Sequence, residues 1–155
     1  MQKKWFKIRT IAHDDLEVVH TLEVQGMDTP WSNTQLLAEL EYPKGIRLLA
    51  VEGLAICGYV IFRFVDSEAE LLRIGVASDY RRQGVGRALW EQGSKALSAV
   101  GATTCFLEVR SSNTVARVFY EQLGFVAIAT RKNYYTQPLE DAIILQRPID
   151  DRRNP

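Results

Sequence analysis

Apolar and polar positions alternate along this chain in a pattern that predicts strands and helices in the order β-α-α-β-β-β-α-β-α-β-β. That order describes one α/β domain built on a mixed sheet. Residues 7–9 end a first strand. Asp14 and Asp15 occupy the acidic first turn of a helix whose Leu16, Val19 and Leu22 recur at helical spacing. Ser32 and Gln35 form the capping box Ser-x-x-Gln ahead of Leu36, Leu37 and Leu40, and Tyr42-Pro43-Lys44-Gly45 ends the helix they start. Residues 46–52 and 56–65 read as strands joined near Gly53; the second is apolar almost throughout and belongs inside the sheet. Asp66-Ser67 turns the chain into another apolar run, residues 71–76. The next helix carries Val85, Ala88, Leu89, Ala96, Leu97 and Val100 as its apolar stripe. After a strand at 103–110, Asn113 is a good N-cap for a helix burying Val115, Val118, Phe119 and Leu123, and Gly124 suits the left-handed residue that follows a helix. Strands at 125–131 and 142–145, separated by a polar and aromatic loop, complete the sheet. The domain spans 1–149, and 150–155 form a charged tail.

The most informative stretch joins strand 71–76 to the long helix through Arg81-Arg82-Gln83-Gly84-Val85-Gly86-Arg87. Amides at a helix N-terminus lack intrahelical partners and the helix dipole makes that end partly positive, so it attracts anions. Gly84 and Gly86 have no Cβ to keep a phosphate from the backbone, and Arg81, Arg82 and Arg87 add charge. A pyrophosphate fits this turn. The third small residue of a dinucleotide fingerprint is missing from Gly84-Val85-Gly86-Arg87-Ala88-Leu89, and no Gly-x-x-x-x-Gly-Lys-Ser/Thr occurs.

Composition narrows the function classes. The 155 residues carry 19 Lys plus Arg against 19 Asp plus Glu, so bulk charge gives no reason to expect a nucleic-acid or membrane partner. No apolar run is long enough to span a bilayer and no signal peptide is expected at the start, which points to a cytoplasmic protein. Cys57 and Cys105, each within a strand, read as reduced core thiols; neither has a basic neighbour in sequence to activate it. His13 and His20 read as surface residues of the early helix, and no Cys/His cluster predicts a metal.

A second segment supplies candidate chemistry. Glu108 alternates onto the side of Phe106 and Arg110. Asn113 and Tyr120 are two helical turns apart on one face, away from Val115, Val118 and Phe119. A phenol stays protonated at neutral pH and can donate a proton, although a helix tyrosine commonly just packs its ring. Glu70, which alternation groups with Leu72 and Ile74 and opposite Gly75, competes with Glu108 as a base. Glu140 and Asp141 either bind a basic substrate or form a solvated turn.

Arg-x-x-Gly-x-Gly after a strand resembles the acyl-CoA pyrophosphate motif of the GNAT N-acetyltransferase superfamily. The segments Leu107–Asn113 and Phe119–Phe125 resemble its second conserved block. More narrowly, Pro30-Trp31-Ser32, Glu108-Val109-Arg110 leading to Asn113, Arg131-Lys132-Asn133-Tyr134-Tyr135 and Glu140-Asp141-Ala142-Ile143 resemble the bacterial ribosomal-protein-alanine N-acetyltransferase family, over residues 23–149. The resemblance implies the GNAT fold, a mixed, mostly antiparallel central sheet flanked by helices on both faces, with acetyl-CoA as co-substrate and no metal. By it Glu108 is the general base and Tyr120 the general acid. Ile74, Gly75 and Val76 hold the acetyl and pantetheine end, and Arg81 to Arg87 (Arg81, Arg82, Gln83, Gly84, Val85, Gly86, Arg87) with Asn113 hold the rest of the cofactor. Arg73 and Gly75 depart from the asparagine and alanine usual in that family.

The expected reaction is direct transfer of acetyl to the N-terminal α-amine of a protein, here a ribosomal protein, with Trp31, Tyr134 and Tyr135 walling a peptide groove. A lysine side chain or a small-molecule amine is the alternative acceptor, and a silent acyl-CoA-binding domain the alternative from another class.

Overall fold

The structure, a computed structural model, describes residues 6–149. The expectations for 1–5 and for the tail at 150–155 lie outside the described residues. The strands are β1 (Lys7–Thr10), β2 (Gly45–Glu52), β3 (Ala55–Val65), β4 (Glu68–Val76), β5 (Thr104–Arg110), β6 (Val126–Thr136) and β7 (Leu139–Pro148). The helices are α1 (Leu16–Gly26), α2 (Asn33–Glu41), α3 (Val85–Ala99) and α4 (Thr114–Gln122), with short 3-10 turns at His13–Asp15 and Ser78–Tyr80. One sheet runs in the order β1-β2-β3-β4-β5-β7-β6, and every neighbouring pair is antiparallel except β4 with β5.

Both faces of the sheet are covered, because strand alternation sends apolar side chains each way. Leu48, Ala50, Val60, Phe62, Leu71, Cys105, Leu107 and Leu145 pack under α3 and α4. Leu49, Val51, Tyr59 and Ile61 pack with Val19 of α1 and Leu36 of α2. Cys57 and Cys105 are buried thiols outside any disulfide, as expected of core residues, and burial pushes Cys105 up to about 12.

Local signals behave as the sequence predicts. The Gln35 amide donates to Ser32 Oγ at 3.1 Å, and Ser32 N–H donates to Gln35 Oε1 at 2.8 Å, which completes the capping box of α2. Asn113 Oδ1 accepts from the Ala116 amide at 3.2 Å, and Gly124 sits at φ +96 after α4.

Two helix faces need correction. In α4, Val115 is 84% exposed and Val118 is 45% exposed. The inward face consists of Ala116, Phe119, Tyr120 and Leu123, so Tyr120 shares the core side with Phe119. In α3 the buried stripe is Val85, Gly86, Leu89, Trp90, Gly93 and Leu97, while Val100 faces out. The last hairpin differs too. Tyr134 and Tyr135 belong to β6, which pairs with β7 almost to the turn at Gln137-Pro138. The interruption read as a loop is a bulge, where 132–134 stand between the rungs Arg131↔Ala142 and Tyr135↔Glu140.

Candidate active site

The site begins where the sheet opens. β4 and β5 pair only at Glu68↔Thr104, Ala69↔Cys105 and Glu70↔Phe106, yet β4 continues to Val76 and β5 to Arg110. Beyond Glu70 no ladder joins them, so each strand presents an unpaired main-chain edge towards the other. Ile74, Gly75 and Val76 lie on that edge of β4, their other edge paired with Val60, Tyr59 and Gly58.

A bulge sets which way this strand faces. Arg73 pairs with Ile61 and Leu71 with Phe62, leaving Leu72 as the extra residue. Simple alternation therefore fails here. Ile74 packs with Leu71 on the α3 side, whereas Leu72 packs towards α1 and α2. Gly75 also turns to the α1–α2 side, where a Cβ would stand 2.6 Å from the Tyr59 ring. Glycine is there because tyrosine is at 59.

The turn after β4 leads into α3. Arg82 at φ +60 and Gly84 at φ +85 are both left-handed, and Gly84 is the N-cap. Among the described residues no group accepts a hydrogen bond from the main-chain amides of 82–87; the first helical bond runs from Ala88 N–H to Gly84 O at 3.0 Å. A row of amides without acceptors, with the helix dipole behind it, attracts an anion. Gly84 has open space where its Cβ would be. Gly86 serves another purpose than the sequence implies: it is buried, and a Cβ there would lie 2.7 Å from the Phe119 ring, so its hydrogen admits α4 rather than a ligand. Several side chains of the turn hold the chain itself. Arg81 donates to Val76 O at 3.3 Å, Gln83 to Asp79 O at 3.0 Å, and Arg87 to Gln122 O at 3.0 Å.

Across the opening stand Glu108 and Tyr120. Arg131 donates to Glu108 Oε1 at 3.1 Å, and Arg131 also lies 4.4 Å over the Tyr134 ring. The Tyr134 phenol is raised, chiefly by its hydrogen bond with Glu108, and burial with the Glu108 charge raises Tyr135. The Tyr134 and Tyr135 rings meet edge-on at 5.1 Å. Tyr120 packs against Phe119 and Phe125, and burial pushes its phenol up to about 12, against the pull of the Arg73 charge. Tyr135 and Arg73 both bear electrostatically on the Tyr120 phenol, the first raising it and the second lowering it. Glu70 sits on the last shared rung, raised by desolvation and then by the Glu108 charge. The structure thus brings Glu108, Glu70, Tyr120, Tyr134 and Tyr135 to one opening.

Other candidates are occupied structurally. Glu140 accepts from Ser112 N–H at 2.6 Å, Ser111 Oγ at 3.1 Å and Arg110 at 3.3 Å, which lowers it to about 2. Asp141 Oδ1 accepts from Asn133 N–H at 2.8 Å and holds the β6 bulge. They shape the wall; neither is a solvated turn. A depression of about 300 Å³ behind α3, lined by Arg87, Trp90, Lys95 and Arg147 among others, includes no residue of β4 or β5. Sequence reasoning missed the partners of Arg73, which donates to the buried Glu23.

Residues 6–125 match the family model of the Acetyltransferase (GNAT) family. The chain is 36% identical over 144 residues to the ribosomal protein bS18-alanine N-acetyltransferase of Escherichia coli strain K12, covering 92% of this chain and 97% of that one. A crystal structure of the Escherichia coli ribosomal-protein-S18-alanine N-acetyltransferase superposes with a TM-score of 0.84 at 34% identity, over 95% of this chain and 96% of that one. Arabidopsis thaliana NAA60 in complex with acetyl-CoA shares the fold, with a TM-score of 0.84 at 16% identity over 93% and 99% of the two chains.

Proposed function

This chain belongs to the GNAT acetyltransferase family, and we propose that it moves acetyl from acetyl-CoA to the N-terminal α-amine of a protein, foremost the N-terminal alanine of a small-subunit ribosomal protein. The observation that carries the reading is the separation of β4 from β5 beyond Glu70, beside the uncapped amides of 82–87. The 36% identity to a bS18-alanine N-acetyltransferase supports the choice of acceptor. A ribosomal substrate places the reaction in the cytoplasm, and the acetyltransferase domain spans 1–149.

The residues present fit acetyl-CoA. Main-chain amides at 82–87 receive the pyrophosphate, with Arg82 exposed beside them, and Asn113 borders the path. The free edge at Ile74, Gly75 and Val76 receives the pantetheine and polarises the acetyl carbonyl. Trp31, Tyr134 and Tyr135 wall the acceptor.

The nitrogen lone pair forms the new C–N bond as the C–S bond breaks. Glu108, held by Arg131, takes the proton the nitrogen releases, directly or through one water. A weak base is enough, because an α-amine near ~7.8 is about 300-fold richer in its neutral form at pH 7.4 than a lysine near ~10.4. Tyr120 donates to the departing sulfur. Against a thiol of ordinary pKa ~8.5, complete transfer from a phenol at about 12 lies roughly 5 kcal/mol uphill. Tyr120 therefore stabilises the thiolate by hydrogen bonding, and hands over its proton only as far as the same apolar setting raises the sulfur.

Mass spectrometry tests the acceptor. Peptides beginning with alanine or serine, and one blocked peptide with an internal lysine, are incubated with the protein and acetyl-CoA. One acetyl on the α-amine of the alanine peptide is expected. Modification of lysine alone overturns the α-amine reading, and release of no CoA with any amine overturns the enzyme reading.

A further inference from the structure

Glu23 is fully buried in α1, and its carboxylate accepts from donors on β3, on β4 and in the connection to α2. Arg73 Nη2 donates to Oε1 at 2.5 Å and Arg73 Nε lies 3.2 Å from both oxygens. The Tyr59 hydroxyl donates to Oε2. The Trp31 amide donates to Oε1 at 2.8 Å. Arg73 Nη2 also donates to Thr29 O at 3.0 Å, and its guanidinium lies 5.0 Å from the Trp31 ring centre. A single arginine on β4 therefore grips the α1–α2 connection by a main-chain carbonyl, a ring and, through Glu23, a main-chain amide. It stands one residue before Ile74, the start of the strand edge assigned to the thioester.

These contacts explain both departures from the family pattern together. Tyr59 fills the space a side chain at 75 would take, with the Gly75 Cβ position 2.6 Å from its ring. The hydroxyl this tyrosine brings needs an acceptor, which Glu23 provides, and Glu23 buried without a cation would carry an uncompensated charge. Arg73 compensates it.

We propose that Arg73 is a positioning residue for the acceptor: it fixes the 27–32 connection, and with it the Trp31 wall, against the strand that holds the acetyl group. The proposal rests on the acetyl-transfer reading above. A bidentate, planar grip of this kind is not reproduced by an ammonium, which keeps the charge but loses the fork.

The test combines hydrogen exchange with kinetics on the full chain. The Trp31 amide reports the grip directly, since its acceptor is Glu23. Arg73→Met is expected to speed exchange at Trp31 at least about 10-fold and to raise the KM for an alanine peptide about 10-fold, with kcat and the KM for acetyl-CoA within about 3-fold. Arg73→Lys is expected to recover part of both effects. If Arg73→Met does not fold, the double variant Glu23→Gln/Arg73→Met leaves no lone buried carboxylate, and the same rise in peptide KM is expected. Unchanged Trp31 exchange, an unchanged peptide KM, or an equal rise in the KM for acetyl-CoA overturns the role of Arg73 alone. A wild-type protein that acetylates no amine overturns the function, whatever Trp31 exchange shows.

Discussion

Tyr120 keeps its proton far above neutrality because its ring is packed between Phe119 and Phe125, and burial pushes the phenol up to about 12. An ordinary tyrosine near ~10 would begin to lose its proton within the range where amine acetylation is measured. The sign of the effect is definite: the donor form is the protonated one, so raising the pKa extends activity to higher pH. For an α-amine acceptor, kcat/KM is expected to climb through about pH 7.8 and then stay level to at least about pH 10. A falling limb centred near 10 that vanishes in Tyr120→Phe would show that the phenol titrates normally and the burial argument is wrong. Tyr120→Phe itself is expected to lower kcat about 100-fold while the Kd for CoA stays unchanged. Glu70, raised by desolvation and by the Glu108 charge, sits opposite Phe106 on the last rung that β4 shares with β5. Glu108, with Arg131 and Tyr134 on it, is the base we propose.

Two glycines, Gly84 at the N-cap of α3 and Gly93 inside it, do different work, and substitution separates them. Gly84 is left-handed at φ +85 with nothing near its absent Cβ, so Gly84→Val strains the turn by about 1–2 kcal/mol without any clash in the core. The turn relaxes by moving its amides, and the Kd for CoA measured by calorimetry is expected to rise at least about 10-fold in a protein whose circular dichroism is unchanged. Gly93 faces the ring of Phe62, with Cζ 2.8 Å from where a Cβ would be, and that ring is fully buried. Alanine gains about 1 kcal/mol of helix propensity there but overpacks the core by up to about 3 kcal/mol. Gly93→Ala is expected to lose about 1–2 kcal/mol net, a fall in Tm of roughly 2–8 °C by calorimetry, with CoA affinity kept. Legibility follows the same division. The Ser32–Gln35 box, the Asn113 cap and the Gly124 stop are readable because each partner lies within a turn of the other. The face of α4 is misread because Val115 and Val118 are apolar yet exposed, while Tyr120, polar at its tip, goes inward. Leu72 and the 132–134 bulge break a period of two that nothing local announces.

The molecule as a whole is a sheet held together in its middle by three parallel rungs between β4 and β5. The glycine turn and the Glu108 strand announce a site in the sequence, but Arg73 finding Glu23 across fifty positions of chain, and Glu140 holding Ser111 and Ser112, depend on folding and on no local pattern. A cofactor bound as proposed lies along the opening, with β4 and the α3 turn on one side and α4 on the other. Its binding therefore reinforces a junction that the chain itself leaves weakly laddered. Mass action sets the size: CoA at 100 times its Kd adds about 2.7 kcal/mol to stability if it binds only the folded state. For a chain of this length that is roughly 5–10 °C in Tm. The wild-type protein is expected to show this rise in a thermal scan with CoA. Gly84→Val, at the same CoA concentration, is expected to show at most about half of it, because a 10-fold weaker site gains only about 1.4 kcal/mol. Peptide added without CoA is expected to shift Tm by less than about 1 °C, since the acceptor meets only the Trp31 and Tyr134–Tyr135 walls. Equal shifts for wild type and Gly84→Val would mean that CoA is held somewhere other than the amides of 82–87. Such a result would detach the glycine turn from the chemistry at Glu108 and Tyr120.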